Sequence, residues 1–324
     1  MAKFSGGEAI GAGFRVIGRH PGAILIWAVV YLVLGILPKV AMFGMIAPDF
    51  WETIKQATAN GAAGGGPGDA AFANMWRMQS HLMAYNGVSL LTTLLLHGVL
   101  AAAVFRAVLE DKNSGFGYLR LGAQEFWIVV VSVAFWVLLF LVMLVALIPM
   151  VVLAVAVGAA AGHGDASGGP AGGVGAIALI GLCVAALVLI VWLCLRFSMA
   201  LPMTFAKRQF MLFESWSLTR GQAWRLFGVA LALVALIIVL EIVVLGVVFA
   251  AAGGTLMAHM ADFQAFAKRP PADWIAAATP WLIGYCGIVS IAGAAFYAIM
   301  LAPWASIYGQ LTARSQARAM FDED

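Results

Sequence analysis

Two ionisable residues stand where such residues are rare. Glu241 lies in LVALIIVLEIVVLGVV and His97 in LLTTLLLHGVLAAA, each with apolar neighbours on both sides. A charged side chain at the centre of a bilayer costs about 2.5–3.5 kcal/mol even on lenient insertion scales, so each is a functional candidate. Paired across two helices, His97 and Glu241 would relay a proton or bind a cation. The competing reading is a hydrogen-bonded clamp that holds two helices in register. Polar residues within the apolar runs are otherwise few, Ser89, Thr92, Thr93, Ser132, Ser290 and Tyr297 among them. A path for a hydrophilic solute needs donors and acceptors along several helices, so this scarcity favours the clamp.

The second set is basic. The stretch RFSMALPMTFAKRQFMLFESWSLTRGQAWRLF, residues 196–227, sets Arg196, Lys207, Arg208, Arg220 and Arg225 against a single acid, Glu214. Guanidinium forks match phosphate oxygens, and basic residues beside apolar runs are attracted to anionic headgroups. Arg19 and Arg120 precede other apolar runs in the same manner. Arg19, Arg120, Arg196, Glu214, Arg220 and Arg225 therefore form a candidate rim for phospholipid headgroups or membrane partners. The alternative is that these residues only orient the chain and anchor helices. Arg220 is the sharpest of them. It sits between Thr219 and Gly221, at a turn where two helix ends are expected to expose N–H groups to an anion.

Other chemistries find no footing. No P-loop, G-x-S-x-G or paired-carboxylate constellation occurs, so no enzymatic activity is expected. Cys183, Cys194 and Cys286 lie singly in apolar runs and read as packing residues. His20, His81, His163 and His259 lack ligand spacing, so neither a metal nor a cofactor is expected. There is no basic surface interleaved with aromatics, which argues against nucleic acid as a partner. Membrane lipids, other membrane proteins or further copies of the chain are the partners that remain.

The scaffold for these residues is a bilayer. Of 324 residues, 64% are hydrophobic and only 10% charged, where soluble domains carry about 25% charge. The expected fold is all-α and polytopic. Six runs are long enough to cross a hydrocarbon core about 30 Å thick: 22–47, 86–109, 126–157, 174–205, 224–252 and 281–311. The third should tilt, kink at Pro149 or protrude, and the fourth should bend at Pro202. Ahead of them, 4–20 carries Ile10, Phe14 and Ile17 at helical spacing beside Arg15 and Arg19, the pattern of an interfacial helix. Residues 206–223 read as an amphipathic segment on the same side. The eleven tryptophans fall mostly near span ends, as an interfacial belt does. The first run shows no cleavage site behind it and is expected to remain as a helix. The whole chain reads as one integral membrane domain.

Loops follow from glycine content. Pro48–Tyr85, Gly158–Gly173 and Gly253–Pro280 read as flexible spacers. Thirteen of the 18 lysines and arginines then fall on the side of the N-terminus. Only Lys39, Lys55, Arg77, Lys268 and Arg269 fall on the other. By the positive-inside bias both termini should be cytoplasmic. Three segments ahead of the odd-numbered spans share an aromatic residue, then an arginine, then a glycine or proline: FRVIGRHP, FGYLRLG and WSLTRG, with Arg19, Arg120 and Arg220 about 100 residues apart. That spacing fits one hairpin unit used three times, or the general needs of any basic loop ahead of a span.

Two of these stretches also carry a family likeness. RFSMALP, with ESWSLTRG and WRLFG after it, resembles the membrane domain attached to some bacterial glycerophosphoryl diester phosphodiesterases. FGYLRLG with Glu125 is similar to stand-alone inner-membrane proteins related to that domain. The resemblance implies a six-helix protein of the bacterial inner membrane. It does not imply the phosphodiesterase, which belongs to a separate soluble barrel. No settled mechanism comes with the family, so no catalytic residue transfers.

Overall fold

Proline and glycine decide where the apolar runs become separate helices. The computed structural model describes residues 4–42, 44–46, 52, 69–110, 115–120, 122–161, 170–260 and 271–322. Among them there is no strand, and six helices are long and apolar enough to cross a membrane. The chain is an all-α, multi-pass membrane protein. It opens with α1 (Gly6–Ile10) and α2 (Ala12–Arg19). Pro21 then starts α3 (Pro21–Val30) at the first helical position, where a missing N–H leaves nothing unpaired. A π-helical turn, Tyr31–Ile36, continues it.

The long helices are α4 (Asp69–Leu109), α5 (Ala123–Ala161), α6 (Pro170–Phe197), α9 (Ala223–Met260) and α10 (Pro271–Asp322). Between α6 and α9 stand the short α7 (Ala200–Lys207) and α8 (Ser215–Leu218). A single turn of 3₁₀ helix, Gly115–Tyr118, precedes α5.

Several helices outrun the spans read from hydropathy. Asp69–Tyr85 belongs to α4, and Gly253–Met260 and Pro271–Pro280 belong to α9 and α10, so these pieces are helix where spacers were expected. The stretch DAAFANMWRMQSHLMAY is polar enough to leave a membrane yet rich in Ala, Met, Leu, Gln and Arg, all strong helix formers. Hydropathy marks where a helix leaves the bilayer and says nothing of where it ends. The centres of the three expected spacers, 53–68, 162–169 and 261–270, lie outside the described residues. Pro149 lies inside α5, which runs on through it.

Contacts group the chain into two compact units. One comprises Gly122–Ala230 with Met1–Gly6 and Ile307–Asp324; the other comprises Gly7–Leu121 and Leu231–Ser306. In the first, Val131, Leu193, Phe197, Ala200 and Leu212 form a buried cluster that joins α5 to the α6–α7 junction. In the second, small residues pack into the core beside Trp27, Leu100 and Phe105. Ala101, Ala102 and Ala103 on α4 and Ala294, Ala298 and Ala302 on α10 are fully buried. Without a hydrophobic drive between helices in lipid, close backbone approach and dispersion hold them together.

The amphipathic lead shows the same preference. The buried positions of α2 are Ala12, Gly13 and Val16, whereas Phe14 is 46% exposed. A Cβ added at Gly13 would lie 2.5 Å from Ile299 Cα and 3.0 Å from the Ala298 carbonyl oxygen. Backbone meets backbone there, and no side chain can move aside. Gly13→Ala should lower stability by about 1–3 kcal/mol through overpacking. Gly18→Ala, with nothing within 4 Å of its added Cβ, should change little. Thermal unfolding of the two variants in detergent checks the contrast, and equal midpoints would refute this packing.

Candidate functional site

The basic corner of the first unit begins with a broken helix. Pro202 has no N–H for the Ser198 carbonyl, and its ring would clash with that carbonyl in a continuous helix. Helix α6 accordingly ends at Phe197, and α7 starts at Ala200 after a turn at Ser198–Met199. The break leaves the last carbonyls of α6 in need of donors. Arg196 oxygen is one of them. It accepts from Ser215 Oγ at 2.8 Å and Thr219 Oγ1 at 3.2 Å. Both hydroxyl residues are buried, and their spacing of four puts them on one face of α8 and the turn after it. The ESWSLTRG motif is thus a latch onto the end of α6.

The latch brings Trp216 against the Arg196 side chain. The guanidinium carbon stands 5.3 Å from the Trp216 ring centre and 5.5 Å from that of Trp192. The two indoles meet edge to face at 4.9 Å. Both rings are within range to attract the cation. Phe197 continues the aromatic shell, 5.9 Å from Trp216, 6.2 Å from Phe213 and 5.9 Å from Phe135. Arg196 is half-buried, and its Nε and Nη1 are out of solvent with no hydrogen-bond partner. Buried polar atoms are nearly always paired, so this orphaned pair marks a cation held by rings and short of an acceptor.

Beside it opens a recess of about 690 Å³ lined by Phe213, Trp216, Ser217 and Arg220. Arg220 is exposed at its edge, as are Glu214 and Arg225 in the same unit. Part of the backbone at this turn is turned onto the chain itself. The Arg220 N–H donates to Ser217 oxygen at 3.3 Å and that of Gln222 to Thr219 oxygen at 3.2 Å. These two N–H groups close the turn.

The second unit holds a polar cluster that hydropathy could not show. Phe116, Gly117 and Tyr118 all take positive φ, 49°, 64° and 63°. Left-handed backbone at non-glycine residues is costly, so the turn needs support from its surroundings. Trp27 Nε1 donates to Gly117 oxygen at 2.7 Å, and Arg106 Nη1 donates to Tyr118 oxygen at 2.6 Å. Tyr118 Oη and His20 Nε2 lie 3.3 Å apart. Arg106 is only 2% exposed. It had counted as one topogenic charge among many, and Trp27 as part of the interfacial belt. The FGY tripeptide is the available signal, though neither its aromatic-then-arginine pattern nor its family likeness names Arg106 or Trp27 as its supports. Arg19 and Arg120 lie in this unit and are exposed. The segments bearing Arg19, Arg120 and Arg220 take three backbone forms: an α-helix, a coil after a left-handed turn, and a turn after α8.

His97 and Glu241 also belong to the second unit, and no hydrogen bond or ion pair joins them among the described residues. Glu241 is exposed on α9, flanked by the exposed Ile238, Val239, Ile242 and Val243. His97 is half-buried, its ring 6.0 Å from Tyr297, which in turn stands 6.1 Å from Tyr31 at the start of the π-helical turn. Tyr31 packs where Gly293 has no side chain: an added Cβ would lie 2.5 Å from its ring. Two hydroxyls in the spans turn to their own helices, Thr92 to Val88 oxygen and Ser290 to Gly287 oxygen. No group of three or more His, Cys, Asp or Glu residues among the described residues is arranged to hold a metal ion.

Compared with models of known protein families, with curated proteins and with solved structures, the chain matches none.

The latch makes a direct prediction. Ser215→Ala combined with Thr219→Val removes both hydroxyls from the Arg196 carbonyl and should cost about 2 kcal/mol, near 1 kcal/mol for each hydrogen bond. Limited proteolysis should then cut the 208–222 segment faster than in the parent. Ser217→Ala, whose exposed hydroxyl serves only Glu214 oxygen, is the control. Equal cutting in both variants would remove the latch.

Proposed function

We propose that this chain is a non-enzymatic integral membrane protein that binds anionic phospholipid headgroups at its basic corner. One observation carries the proposal: Arg196 is held between Trp192 and Trp216 with two nitrogens lacking an acceptor, beside a recess edged by Arg220. A phosphate satisfies what that arrangement lacks, since charge-assisted bonds to guanidinium are stronger than neutral ones. Glu214, exposed on the same latched segment, discriminates against a second negative charge close to it. Arg225, with Arg19 and Arg120 in the other unit, adds attraction toward an anionic surface that falls off within a Debye length.

The resemblance to the phosphodiesterase-associated membrane domain supports a bacterial inner membrane as its location under this reading. The excess of Lys and Arg puts both termini and the basic corner in the cytoplasm. Binding of membrane partners or of a second copy is compatible with it. The alternative role, a proton- or ion-coupled transporter working through His97 and Glu241, lacks a bond between the two to work through.

Arg220→Ala and Arg196→Gln should each reduce phosphatidylglycerol retained through purification by about tenfold, the equivalent of one lost charge-assisted contact of about 1.4 kcal/mol. Phosphatidylethanolamine retained by the same preparations should be unchanged. Quantitative lipid mass spectrometry decides it, and undiminished phosphatidylglycerol in both variants would overturn the proposal. A reporter fused after Phe321 that is active only outside the cytoplasm would overturn the orientation.

A further inference from the structure

The same unit contains an apolar groove between α5 and α6, of about 390 Å³, walled by Val145 and Ala146 on one side and Leu182, Ala185, Ala186 and Leu189 on the other. Its lining is almost wholly apolar. It exists because three of its wall residues are alanines, where leucine-sized side chains would fill the space between the helices. Leu189 and Arg196 are seven residues apart on α6, two helical turns, and so share one face of it. One wall of the groove also borders the aromatic shell. Val142 lines it and packs on the buried cluster that contains Phe197, whose ring touches Phe213 and Trp216.

Length decides what such a track would hold. From Arg196 to Leu182 is fourteen residues of helix, about 21 Å at 1.5 Å per residue. One leaflet, half of a bilayer about 40–45 Å thick with its headgroups, measures about 20–22 Å. The basic corner stands at one end of that distance and the groove at the other. Resting on the headgroup reading above, we infer that Arg196, Arg220 and the α5–α6 groove together form a site for one whole anionic phospholipid. Its phosphate lies at the two arginines and one acyl chain lies in the groove. The occupant is a lipid and not free phosphate, because the apolar half of the track has no use for an inorganic ion. A second helix in the groove would bring no group to satisfy the Arg196 nitrogens.

The full chain in detergent micelles, carrying a fluorophore on the native Cys183, which is exposed on α6 next to the groove and is not one of its wall residues, tests this with phosphatidylglycerol brominated at mid-chain. Quenching should saturate, should be about tenfold weaker in apparent affinity for the phosphatidylcholine analogue, and should resist inorganic phosphate. Ala146→Leu, which fills the groove from the opposite wall, should weaken it by a similar factor while thermal stability holds. If that variant fails to fold, labelled chain carrying Arg196→Gln serves in its place, because it alters only the far end of the track. Equal quenching by the two lipids, or no effect of Arg196→Gln on it, would overturn the one-lipid site. In that event a loss of retained phosphatidylglycerol in Arg220→Ala would leave the headgroup reading standing. Displacement of the brominated lipid by inorganic phosphate would reassign the arginines to a soluble anion.

Discussion

The helix break that Pro202 imposes at Ser198–Met199 governs the basic corner. A helix that ran on through Ser198 would satisfy the Arg196 carbonyl from its own backbone, and Ser215 and Thr219 would have nothing to hold. Because the helix stops at Phe197, the carbonyl lies at its end and takes both hydroxyls. Trp216, lying between them in sequence, is thereby fixed against the guanidinium of the same residue whose carbonyl anchors it. One residue supplies the anchor through its backbone and the charge through its side chain. The recess at Arg220 follows from that geometry, since Phe213, Trp216 and Ser217 all sit on the latched segment.

Lipid as a solvent explains how the rest is packed. The three most apolar spans, from Gly115, Val174 and Ala223, bury almost none of their most apolar stretches, whereas the less apolar spans from Pro21, Trp76 and Trp281 bury far more. In water the order would be reversed. Here large apolar side chains gain nothing by leaving lipid, and contact is made where Gly and Ala let backbones approach. Gly13 against Ile299 and Gly293 against Tyr31 are two such places.

That inversion also sets what could be read from residues alone. Six spans were legible because length and apolarity are local properties, and each of the six expected runs overlaps a helix long enough to cross. The importance of ESWSLTRG was legible as a motif, but its mechanism was not, since it depends on a carbonyl freed nineteen residues earlier. Arg106 was hidden for a different reason. Its partner is a backbone oxygen in a left-handed turn, and no side-chain pattern announces a main-chain acceptor. Helix ends outside the bilayer were missed because propensity, not hydropathy, sets them. Glu241 drew notice by its cost in lipid, yet the structure places it on an exposed face and sets His97 beside Tyr297 instead.

The contrast between two arginines is what singles out one of them. Arg106 and Arg196 both lie near span ends, and both are withdrawn from water. Arg106 reaches a carbonyl that needs it, and the strained turn at Phe116–Tyr118 is held partly by that bond. Its charge is committed to structure. Arg196 meets two ring faces, which attract a cation without accepting hydrogen bonds in its plane. Rings position the guanidinium and leave its donors unanswered. An arginine required only for anchorage is served better by the first arrangement, because an unpaired buried donor costs stability. The second arrangement makes physical sense when the missing acceptor comes from outside the chain, and at a span end in a membrane the most abundant acceptor of the right charge is a lipid phosphate.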